Sequence, residues 1–457
     1  MNLTKQALFA AVVAGSAMMT GCGDSGSSSS SANDNNNAVT DAACIDFDGT
    51  MNAAGTECTL SKVLTKSTTL SKNITYILDG LVKVGNGDSQ LVTQTQVDAA
   101  VENGVTLTIP AGTKIKGLEA SALIITRGSK IMAEGTAAEP IVFSSVDEGE
   151  NGSGEWGGLV LQGFGVTNQC PDTGLCNILG EGGVGFYGGT DNTDSSGTLK
   201  YVVVTEGGYA VSLDNELNGV SFMGVGSGTT VDFLQVNENA DDGVEFWGGA
   251  VMVKHLVITQ AEDDSIDWDQ GFVGGVQYGI VVQKQALGIV GKTTDKGIES
   301  DNDGAAMDND PRSMPTIANV TFKLNPETIA VHHREGTGVK AYNNILIGAL
   351  DCFRVQHDAT LAEVANGELS WENSIAKCTN AAHDTASEAL LNSQTSSINT
   401  TATGSLNANY AWSVAGEATN KTFTADNSAV ESNSYVGAVD PAASSFWYAG
   451  WTVSGSL

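Results

Sequence analysis

A repeated pattern of short apolar segments is the feature of this sequence that most constrains its fold. Each segment is a run of alternating, mostly β-branched residues closed by Gly, Asn or Asp, a pattern typical of strands separated by turns. The steps between the segments are 32, 22, 23, 41 and 24 residues. Because a unit this short cannot bury its own apolar face, the repeat predicts coils that stack around one shared core. The segments begin at Leu199, Val231, Val253, Val276, Ile317 and Ala341.

A second apolar register repeats within the same stretch of chain. It runs through Val220, Val244, Ile266, Ile298, Ile329 and Phe353. We therefore predict an all-β chain that forms a right-handed parallel β-helix, a solenoid with external loop insertions, of which 283–315 is the longest. The strand-like segments 105–109, 122–126, 140–143 and 156–161 predict the first coils, and 381–392 favours a short helix.

This register places a group of charged and polar residues on one outer face of the solenoid. One outward column contains Glu245, Asp267, Glu299 and Arg354, and the next contains Trp247, Asp269, Asp301, His332 and Gln356. Gln270, Asn302, His333 and His357 lie beside them. Neighbouring strands are about 4.8 Å apart, so carboxyl oxygens on successive coils should approach within about 5 Å.

Such an arrangement fits acid–base chemistry. One protonated carboxyl beside one ionised carboxyl is what glycoside hydrolysis requires, and arginine can hold a substrate carboxylate. The candidate catalytic residues are Asp267, Asp269, Glu299, His332, His333, Arg334 and Arg354. An ion-braced structural face and a solvated face without function remain open, because a one-residue slip of the register would turn the column inward.

Clustered aspartates suggest Ca²⁺, which takes six to eight oxygen ligands. Asp241-Asp242 and Asp263-Asp264 recur 22 residues apart and should stack at one corner of successive coils, where they would repel unless protonated or bridged by a cation. The segment 301–310 resembles a calcium loop, with Asp301, Asp303, Asp308 and Asp310 as candidate ligands. Solvated Asx-rich turns are the alternative for both groups, and Asp301 is claimed by the loop and by the acidic column.

The N-terminal residues predict export. Lys5 precedes an apolar stretch, 7–19, that is too short to span a bilayer permanently and is typical of a secretory signal. Met19-Thr-Gly-Cys22 resembles a bacterial lipobox, with Met where Leu is usual, so Cys22 is the predicted lipidation site. We expect a lipid anchor in the cell envelope, at the outer membrane on its periplasmic side or at the cell surface; the inner membrane is the alternative.

These features divide the chain into four parts. Residues 1–22 are the predicted lipoprotein signal peptide and 23–40 a low-complexity tether, too polar to fold. Residues 41–94 are assigned to an N-terminal cap region, and 95–457 to the β-helix with a C-terminal closing segment.

Six cysteines remain after processing at Cys22, an even number that fits disulfides in an oxidising compartment. Proximity suggests the pairs Cys44 with Cys58, Cys170 with Cys176, and Cys352 with Cys378, although all 15 connectivities are formally open.

The net charge restricts the partners. With 53 acidic and 21 basic residues the chain carries −32, which disfavours nucleic acid and leaves the lipid anchor as the predicted contact with the membrane. Divalent cations are more plausible ligands.

Several glycine- and tryptophan-containing motifs support a family resemblance. They include Gly154-Glu-Trp-Gly-Gly-Leu-Val-Leu, Gly185-Phe-Tyr-Gly-Gly, Asp241-Asp-Gly-Val-Glu-Phe-Trp-Gly-Gly, Asp263-Asp-Ser-Ile-Asp-Trp-Asp-Gln-Gly, Arg334-Glu-Gly-Thr-Gly and the ending from Val436-Gly-Ala-Val-Asp-Pro to Gly450-Trp-Thr. Over roughly 95–457 the chain resembles exported bacterial lipoproteins with a pectate-lyase-like β-helix. The resemblance implies a fold and an envelope location, without a defined reaction.

Two classes of function follow. In the first, the protein is a calcium-braced envelope module that binds an extracellular polymer, in particular a polysaccharide, or an envelope protein through its acidic face. In the second, it is a polysaccharide hydrolase with paired carboxylates, or a calcium-dependent lyase in which Arg334, Arg312 or Lys284 abstracts a proton. Trp247 is the one aromatic residue in the outward columns, and this scarcity of sugar-stacking rings favours binding without turnover.

Overall fold

The computed structural model of the protein describes residues 44, 48–60, 62–147, 152–171, 175–212, 215–283, 295–393, 396–417, 419–422 and 430–457. The predicted signal peptide, Cys22, the tether and Lys284 lie outside the described residues. Within the described residues, no helix combines the length and apolarity needed to cross a membrane.

Most of the ordered elements are short strands. In chain order they are β1 (Thr50–Met51), β2 (Glu57–Leu60), β3 (Val63–Leu64), β4 (Thr68–Thr69), β5 (Thr75–Leu78), β6 (Leu81–Val84), β7 (Thr106–Pro110), β8 (Lys114–Gly117), β9 (Ala122–Ile125), β10 (Lys130–Glu134), β11 (Ile141–Ser145), β12 (Gly158–Gln162), β13 (Ile178–Leu179), β14 (Phe186–Tyr187), β15 (Gly197–Thr205), β16 (Ala210–Ser212), β17 (Asn215–Glu216), β18 (Val220–Met223), β19 (Thr230–Asn237), β20 (Val244–Trp247), β21 (Met252–Thr259), β22 (Ile266–Asp269), β23 (Gly275–Val282), β24 (Lys296–Ser300), β25 (Thr316–Lys323), β26 (Ile329–His333), β27 (Val339–Tyr342), β28 (Ile345–Ile347), β29 (Asp351–Val355), β30 (Leu369–Glu372), β31 (Ser374–Lys377), β32 (Asn380–Ala382) and β33 (Ile398–Asn399).

In the part of the chain that the structure describes, the helices of two or more residues are few and short. They are α1 (Gln94–Glu102), α2 (Asp358–Asn366) and α3 (Glu388–Leu391), with one 3₁₀ turn at Glu181–Gly183. Helix α3 lies inside the segment 381–392 that favours a helix, whereas the sequence analysis did not predict α1 and α2. A capping box begins α1: the Thr93 side chain accepts a hydrogen bond from the Gln96 N–H, and the Gln96 side chain accepts from the Thr93 N–H.

Apart from two separate antiparallel pairs, β13 with β14 and β16 with β17, the strands form two long sheets, which confirms the predicted parallel β-helix. The second sheet is a single parallel ladder that contains β3, β6, β9, β12, β18, β20, β22, β24, β26, β29 and β32 in that order. Pairing in the first sheet is parallel apart from β1 with β2. Strands β2 to β6 already pair within these sheets, so the solenoid extends into the segment assigned to the cap.

The first sheet turns a corner because one residue in each of its coils has a left-handed backbone. In the long strands β15, β19, β21, β23 and β25 this residue lies in the middle, and in later coils it separates two shorter strands. Asparagine tolerates this conformation better than most residues and occupies the later positions. The residues are Tyr201, Phe233, His255, Tyr278, Asn319, Asn343 and Asn373.

The inward residues form one continuous core. In the first sheet the structure aligns Leu199, Val231, Val253, Val276, Ile317 and Ala341, as predicted. In the second sheet the predicted register is correct except at Ile329, which pairs with Asp351. Val331 is the residue aligned with Ile298 and Phe353. Ile329 and Val331 are both apolar and point to the same side of the strand, so the sequence pattern alone does not distinguish them.

A C-terminal segment, residues 430–457, covers the outer face of the first sheet, and we call it the strap. Trp451 is 3% exposed and packs on Val203 and Val257. The Asn319 side chain donates to the Tyr435 carbonyl at 3.0 Å, and the Gln235 side chain accepts from the Val453 N–H at 2.7 Å. The strap therefore runs back along the solenoid from the coil of β25 to that of β19.

Three disulfides cross-link the chain. Cys44–Cys58, Cys170–Cys176 and Cys352–Cys378 are all formed, with Cα separations of 5.8, 4.9 and 5.4 Å. All three predicted pairs are confirmed.

Candidate functional site

The outer side of the second sheet, from β20 to β29, carries the charged residues that the sequence analysis singled out, and we call it the charged face. Its first column contains Glu245, Asp267, Glu299, His332 and Arg354. His332 was predicted in the next column, and the correction follows from the two-residue shift at Ile329. Glutamate, aspartate, histidine and arginine side chains therefore do meet on this face, but in a different order from the one predicted.

Glu299 lies at the centre of this face. Its Oε1 is 3.2 Å from Arg334 Nε, 3.4 Å from Lys296 Nζ and 3.5 Å from His332 Nδ1. Burial alone would raise the pKa of the Glu299 carboxyl, but the His332 hydrogen bond and the charges of Lys296 and Arg334 lower it to about 2. Glu299 is therefore ionised at neutral pH.

Two neighbouring carboxyls behave in the opposite way. Burial, with the charges of Glu299 and Asp301, raises the pKa of Asp267 well above its ordinary value. Burial also raises the pKa of Asp269 to about 8, against the hydrogen bond that its Oδ1 accepts from the Gln270 N–H. A carboxyl oxygen of Asp267 lies within 4.8 Å of one of Glu299, as the strand spacing predicts. Protonated and ionised acids therefore stand side by side.

His333 does not belong to the charged face, which corrects its prediction as a catalytic residue. It is fully buried in the core, with Nδ1 2.6 Å from Ser300 Oγ and with Nε2 accepting from Trp371 Nε1 at 3.0 Å. Because Trp371 can only donate, the imidazole carries its proton on Nδ1 and is neutral. Burial, with the charge of His332, lowers the pKa of His333 to about 3.

Arg334 is held too tightly to act as a base. Its Nε lies 2.9 Å from both carboxylate oxygens of Asp301, and its Nη2 lies 2.8 Å from Oδ2. Burial alone would lower the pKa of Arg334, but these contacts with Asp301 and that with Glu299 raise it above its ordinary value. Arg312 is also engaged, by Asp308 at 3.0 Å and by backbone carbonyls. Proton abstraction by Arg334 or Arg312 is therefore unsupported.

Three aspartates of the predicted calcium loop at 301–310 have protein partners in the structure. Asp301 binds Arg334, Asp308 binds Arg312, and Asp303 accepts the Ala305 N–H at 2.8 Å and the Asn309 side-chain amide at 2.7 Å. Asp310 is exposed. Among the described residues, the groups of three acids with close oxygens contain none of these four aspartates. The loop satisfies its own carboxylates by turn formation and ion pairs.

The corner aspartates do stack as predicted. Asp242 Oδ1 accepts the Asp264 N–H at 2.9 Å, and Asp241, Asp242 and Asp263 have oxygens within 4.8 Å of one another. Burial and then the charge of Asp263 raise the pKa of Asp241 to about 7. Lys296, which the sequence analysis missed, continues this column beyond Asp264.

One group of acids is suited to a divalent cation. Asp242, Glu245 and Asp267 have oxygens within 4.8 Å of one another, and no lysine, arginine or histidine among the described residues forms an ion pair with them. Asp267 Oδ1 is buried without a hydrogen-bond donor, and so is Oδ1 of Asn218, whose amide donates to Glu245 at 2.6 Å. An oxygen-rich site whose carboxylates have no ion pair with a basic side chain among the described residues fits Ca²⁺.

Arg354 differs from the other cations of the charged face. It is half-buried and, within the described residues, makes no hydrogen bond or ion pair, although its charge helps the Ser387 hydrogen bonds to lower the pKa of nearby Asp384. Gln356 Oε1 accepts from His332 Nε2 at 3.0 Å, and His357 Nδ1 accepts the Glu335 N–H at 3.1 Å. Arg354 thus has its guanidinium available for an anion.

The N-terminal half of the second sheet's outer face is covered. Trp247 is 5% exposed and packs with Tyr187, Val184, Leu217 and Met223. It points outward as predicted, but the segment around Tyr187 removes it from solvent. The charged face is therefore bounded by an apolar cover on one side.

Comparisons with known proteins agree with this architecture. A family model described as the pectate-lyase-like β-helix domain matches residues 62–452. Among solved structures, the chain is similar to an alginate lyase from Paenibacillus sp. str. FPU-7, with 13% identity, a TM-score of 0.17, and coverage of 66% of this chain and 91% of that chain. A TM-score this low gives no information about the site. No curated protein matches the chain. Because the family match spans most of the sequence, the chain belongs to the family of proteins with a pectate-lyase-like β-helix domain.

Proposed function

We propose that this protein is an exported, lipid-anchored envelope protein that binds a carboxylated extracellular polysaccharide along its charged face, with Ca²⁺ as a brace. The observation that carries the proposal is the unpaired guanidinium of Arg354, on the same face as carboxylates that have no cation of their own. Arginine is suited to bidentate recognition of a carboxylate.

The two binding elements are well separated along the solenoid axis. Glu245 and Arg354 lie four strands apart in one column, which corresponds to roughly 19 Å at the usual strand spacing. An extended polymer lying parallel to the axis would contact both ends. The proposed ligand is therefore a chain with repeated carboxylates rather than a single small anion.

Ca²⁺ would be held by Asp242, Glu245 and Asp267, with the Asn218 amide oxygen beside them. Burial and then the charge of Asp267 raise the pKa of both Asp242 and Glu245 well above the ordinary values. The ionised forms of these carboxyls are therefore unfavourable without a counter-ion. When bound, a divalent cation supplies the missing positive charge, and it would also accept a carboxylate of the polymer as a further ligand.

A polysaccharide hydrolase is the second candidate. Asp267, with its raised pKa, could donate a proton while ionised Glu299 acts as nucleophile, and carboxyl groups this close are typical of retaining enzymes. However, Glu299 is held by Lys296, His332 and Arg334, which lowers its nucleophilicity. For a lyase, Arg334 and Arg312 are already paired, and the remaining candidate base, Lys284, lies outside the described residues.

The anchor and the envelope location rest on the sequence of residues 1–40 alone. Cys22 is the proposed lipidation site, and the outer membrane is the proposed location, facing either the periplasm or the cell exterior. An envelope protein with a basic surface is the alternative partner for the charged face. The net charge of −32 argues against nucleic acid.

The binding proposal is tested with pectate and alginate as carboxylated probes and a neutral glucan as control. We expect affinity electrophoresis to show retardation by the carboxylated polymers, loss of retardation with a calcium chelator, and little effect of the glucan. Arg354→Ala should weaken binding about tenfold. Binding that ignores both the chelator and Arg354→Ala would contradict the proposal, and new reducing ends lost in Asp267→Asn would favour the hydrolase.

Anchoring is tested separately in the cell. Metabolic labelling with a fatty-acid analogue should mark the wild-type protein and not Cys22→Ser. A wild-type protein that is exported without label would refute the anchor and leave the binding proposal untouched.

A further inference from the structure

Lys296 occupies a position among acids where a metal ion would otherwise fit. Four groups of three acids have oxygens within 4.8 Å of one another along this side of the solenoid. They are Asp241–Asp242–Asp263, Asp242–Glu245–Asp267, Asp263–Asp264–Asp295 and Asp264–Asp267–Glu299. The ammonium of Lys296 enters the last two groups.

The contacts of Lys296 are those of a counter-ion inside an acidic cluster. Its Nζ lies 3.3 Å from Asp264 Oδ2, 2.5 Å from Asp295 Oδ2 and 3.4 Å from Glu299 Oε1. Its backbone N–H also donates to Asp264 Oδ1 at 2.7 Å. Lys296 is 9% exposed and Asp264 is 2% exposed, so the charge pair is shielded from water. One buried ammonium therefore supplies positive charge to three acids in the second half of the acidic column.

The first half of the acidic column, which contains the two groups around Asp242, has no such cation among the described residues but has further unused ligand atoms. The two groups there share Asp242, which is 7% exposed, so they offer room for one ion rather than two. Asn218 is 1% exposed and precedes Asp242 in the column. Its amide donates to Glu245 Oε2 at 2.6 Å, while its Oδ1 has no donor. The side chain is thus aimed at the acids and carries an oxygen that a cation could use.

We propose that Lys296 is an internal cation that limits the charged face to a single divalent ion, bound between Asn218, Asp242, Glu245 and Asp267. The inference rests on the calcium binding in the proposed function and adds its stoichiometry and the role of Lys296. Lys296 supplies the positive charge at Asp264 that a second ion would otherwise supply. Removing one partner of a buried ion pair leaves the other charge uncompensated, so the vacated position should attract a cation.

Calorimetric titration with CaCl₂ at constant ionic strength tests the stoichiometry. We expect one bound Ca²⁺ per chain for the wild type and two for Lys296→Met. Lys254→Met is the matched control, because Lys254 pairs with Glu431 on the strap and lies far from the acidic column; it should leave one ion. A folded Lys296→Met protein that still binds one Ca²⁺ would overturn the inference.

A pair of aspartate variants keeps the test valid if Lys296→Met does not fold. Asp242→Asn in the wild-type background should abolish binding or weaken it more than tenfold, whereas Asp264→Asn should leave one Ca²⁺ bound with a similar affinity. Loss of binding in Asp264→Asn, or its retention in Asp242→Asn, would place the ion in the wrong half of the column and refute the inference.

The outcomes separate the inference from the proposed function. If the wild type binds no Ca²⁺, the calcium part of the proposed function fails and the inference fails with it. If the wild type binds one Ca²⁺ that Asp242→Asn abolishes, but Lys296→Met still binds only one, the role of Lys296 fails and the calcium site of the proposed function stands.

Discussion

The two long sheets of this solenoid have outer faces of opposite character. The outer face of the first sheet carries Val203, Val257 and Ile280, and the strap covers it with aromatic and aliphatic side chains. The outer face of the second sheet, from β20 to β29, carries carboxylates, an imidazole and guanidinium groups instead. One face is thus completed by the chain's own C-terminal residues, while the other retains unpaired charge.

The difference indicates which face serves stability and which is available for a ligand. Burial of apolar area is stabilising by itself, so the strap needs no partner. Buried acids are costly unless they are paired, protonated or bound to a cation. A face that keeps such acids together at that cost is a better candidate for binding, and Lys296 and Arg334 reduce the cost only in part.

The largest predicted effect concerns the strap. Trp451→Ala should lower the free energy of unfolding by about 3 to 5 kcal/mol, because it removes a buried indole that packs edgewise on Tyr201 and Phe233. Chemical denaturation measures the change, with Val414→Ala as control, since Val414 is 40% exposed. A loss below about 1 kcal/mol would mean that the strap does not complete the fold.

The next effect distinguishes the two sides of the second sheet. His333 faces the core, and its pKa in the folded protein is about 3, below the ordinary value of about 6.5. As the pH falls, the imidazole is therefore protonated in the unfolded chain before it is protonated in the folded protein. Its contribution to stability is complete above about pH 6.5 and is lost as the pH falls toward 3, by roughly 1 kcal/mol per pH unit.

This pH dependence is measured as a difference between the wild type and His333→Gln. The unfolding free energy of the wild type should fall more steeply between pH 6.5 and 4.5 than that of the variant, while polysaccharide binding at pH 7 is unchanged in the variant. His332→Gln should weaken polysaccharide binding, because His332 lies between Glu299 and Arg354 in the column of the charged face. Equal slopes for His333→Gln and the wild type would contradict the buried neutral assignment.

A smaller effect compares one cation from each outer face. Arg354→Ala should reduce affinity for pectate about tenfold, since it removes the free guanidinium of the charged face. Lys254→Ala, at the strap, should leave the affinity within about twofold, because the strap face lies outside the proposed binding surface. Equal losses in the two variants would indicate nonspecific attraction of the polymer.

The smallest effect concerns the ion pair at the strap itself. Lys254 Nζ lies 2.7 Å from Glu431 Oε1, but the two side chains are 26% and 57% exposed. Glu431→Gln should therefore change the unfolding free energy by less than about 1 kcal/mol. A larger loss would show that charge, and not apolar packing, holds the strap.

The register of the first sheet could be predicted from the sequence because every coil contributes an apolar run of similar length. The register of the second sheet failed at one coil. There, Ile329 and Val331 satisfy the same alternation, and the loop after Ser300 has no pattern that fixes its length. Only the pairing of whole strands decides between them.

Some residues of the site could have been found from the register alone. Asn218 and Lys296 lie two positions before Val220 and Ile298, as Asp242 does before Val244, so they belong to one column. A lysine in an otherwise acidic column is a recognisable signal. The capping box of Thr93 and Gln96 could likewise have located α1.

Other features could not be predicted from local sequence. The strap has no regular apolar period, and its path depends on side chains of distant coils such as Asn319 and Gln235. Two of the ligands predicted at 301–310 are paired with Arg334 and Arg312, and these contacts depend on tertiary placement. Asp-rich spacing alone cannot distinguish a calcium loop from a set of turns.

Hydrogen exchange measured with and without pectate in the presence of Ca²⁺ compares both faces in one experiment and so tests whether the charged face binds the polymer. We expect slower exchange in the strands of the charged face, with no change in residues 430–457. These strands are 244–247, 266–269, 296–300 and 351–355. Protection confined to the strap, or no protection in those four strands under conditions where the polymer is bound, would contradict this expectation.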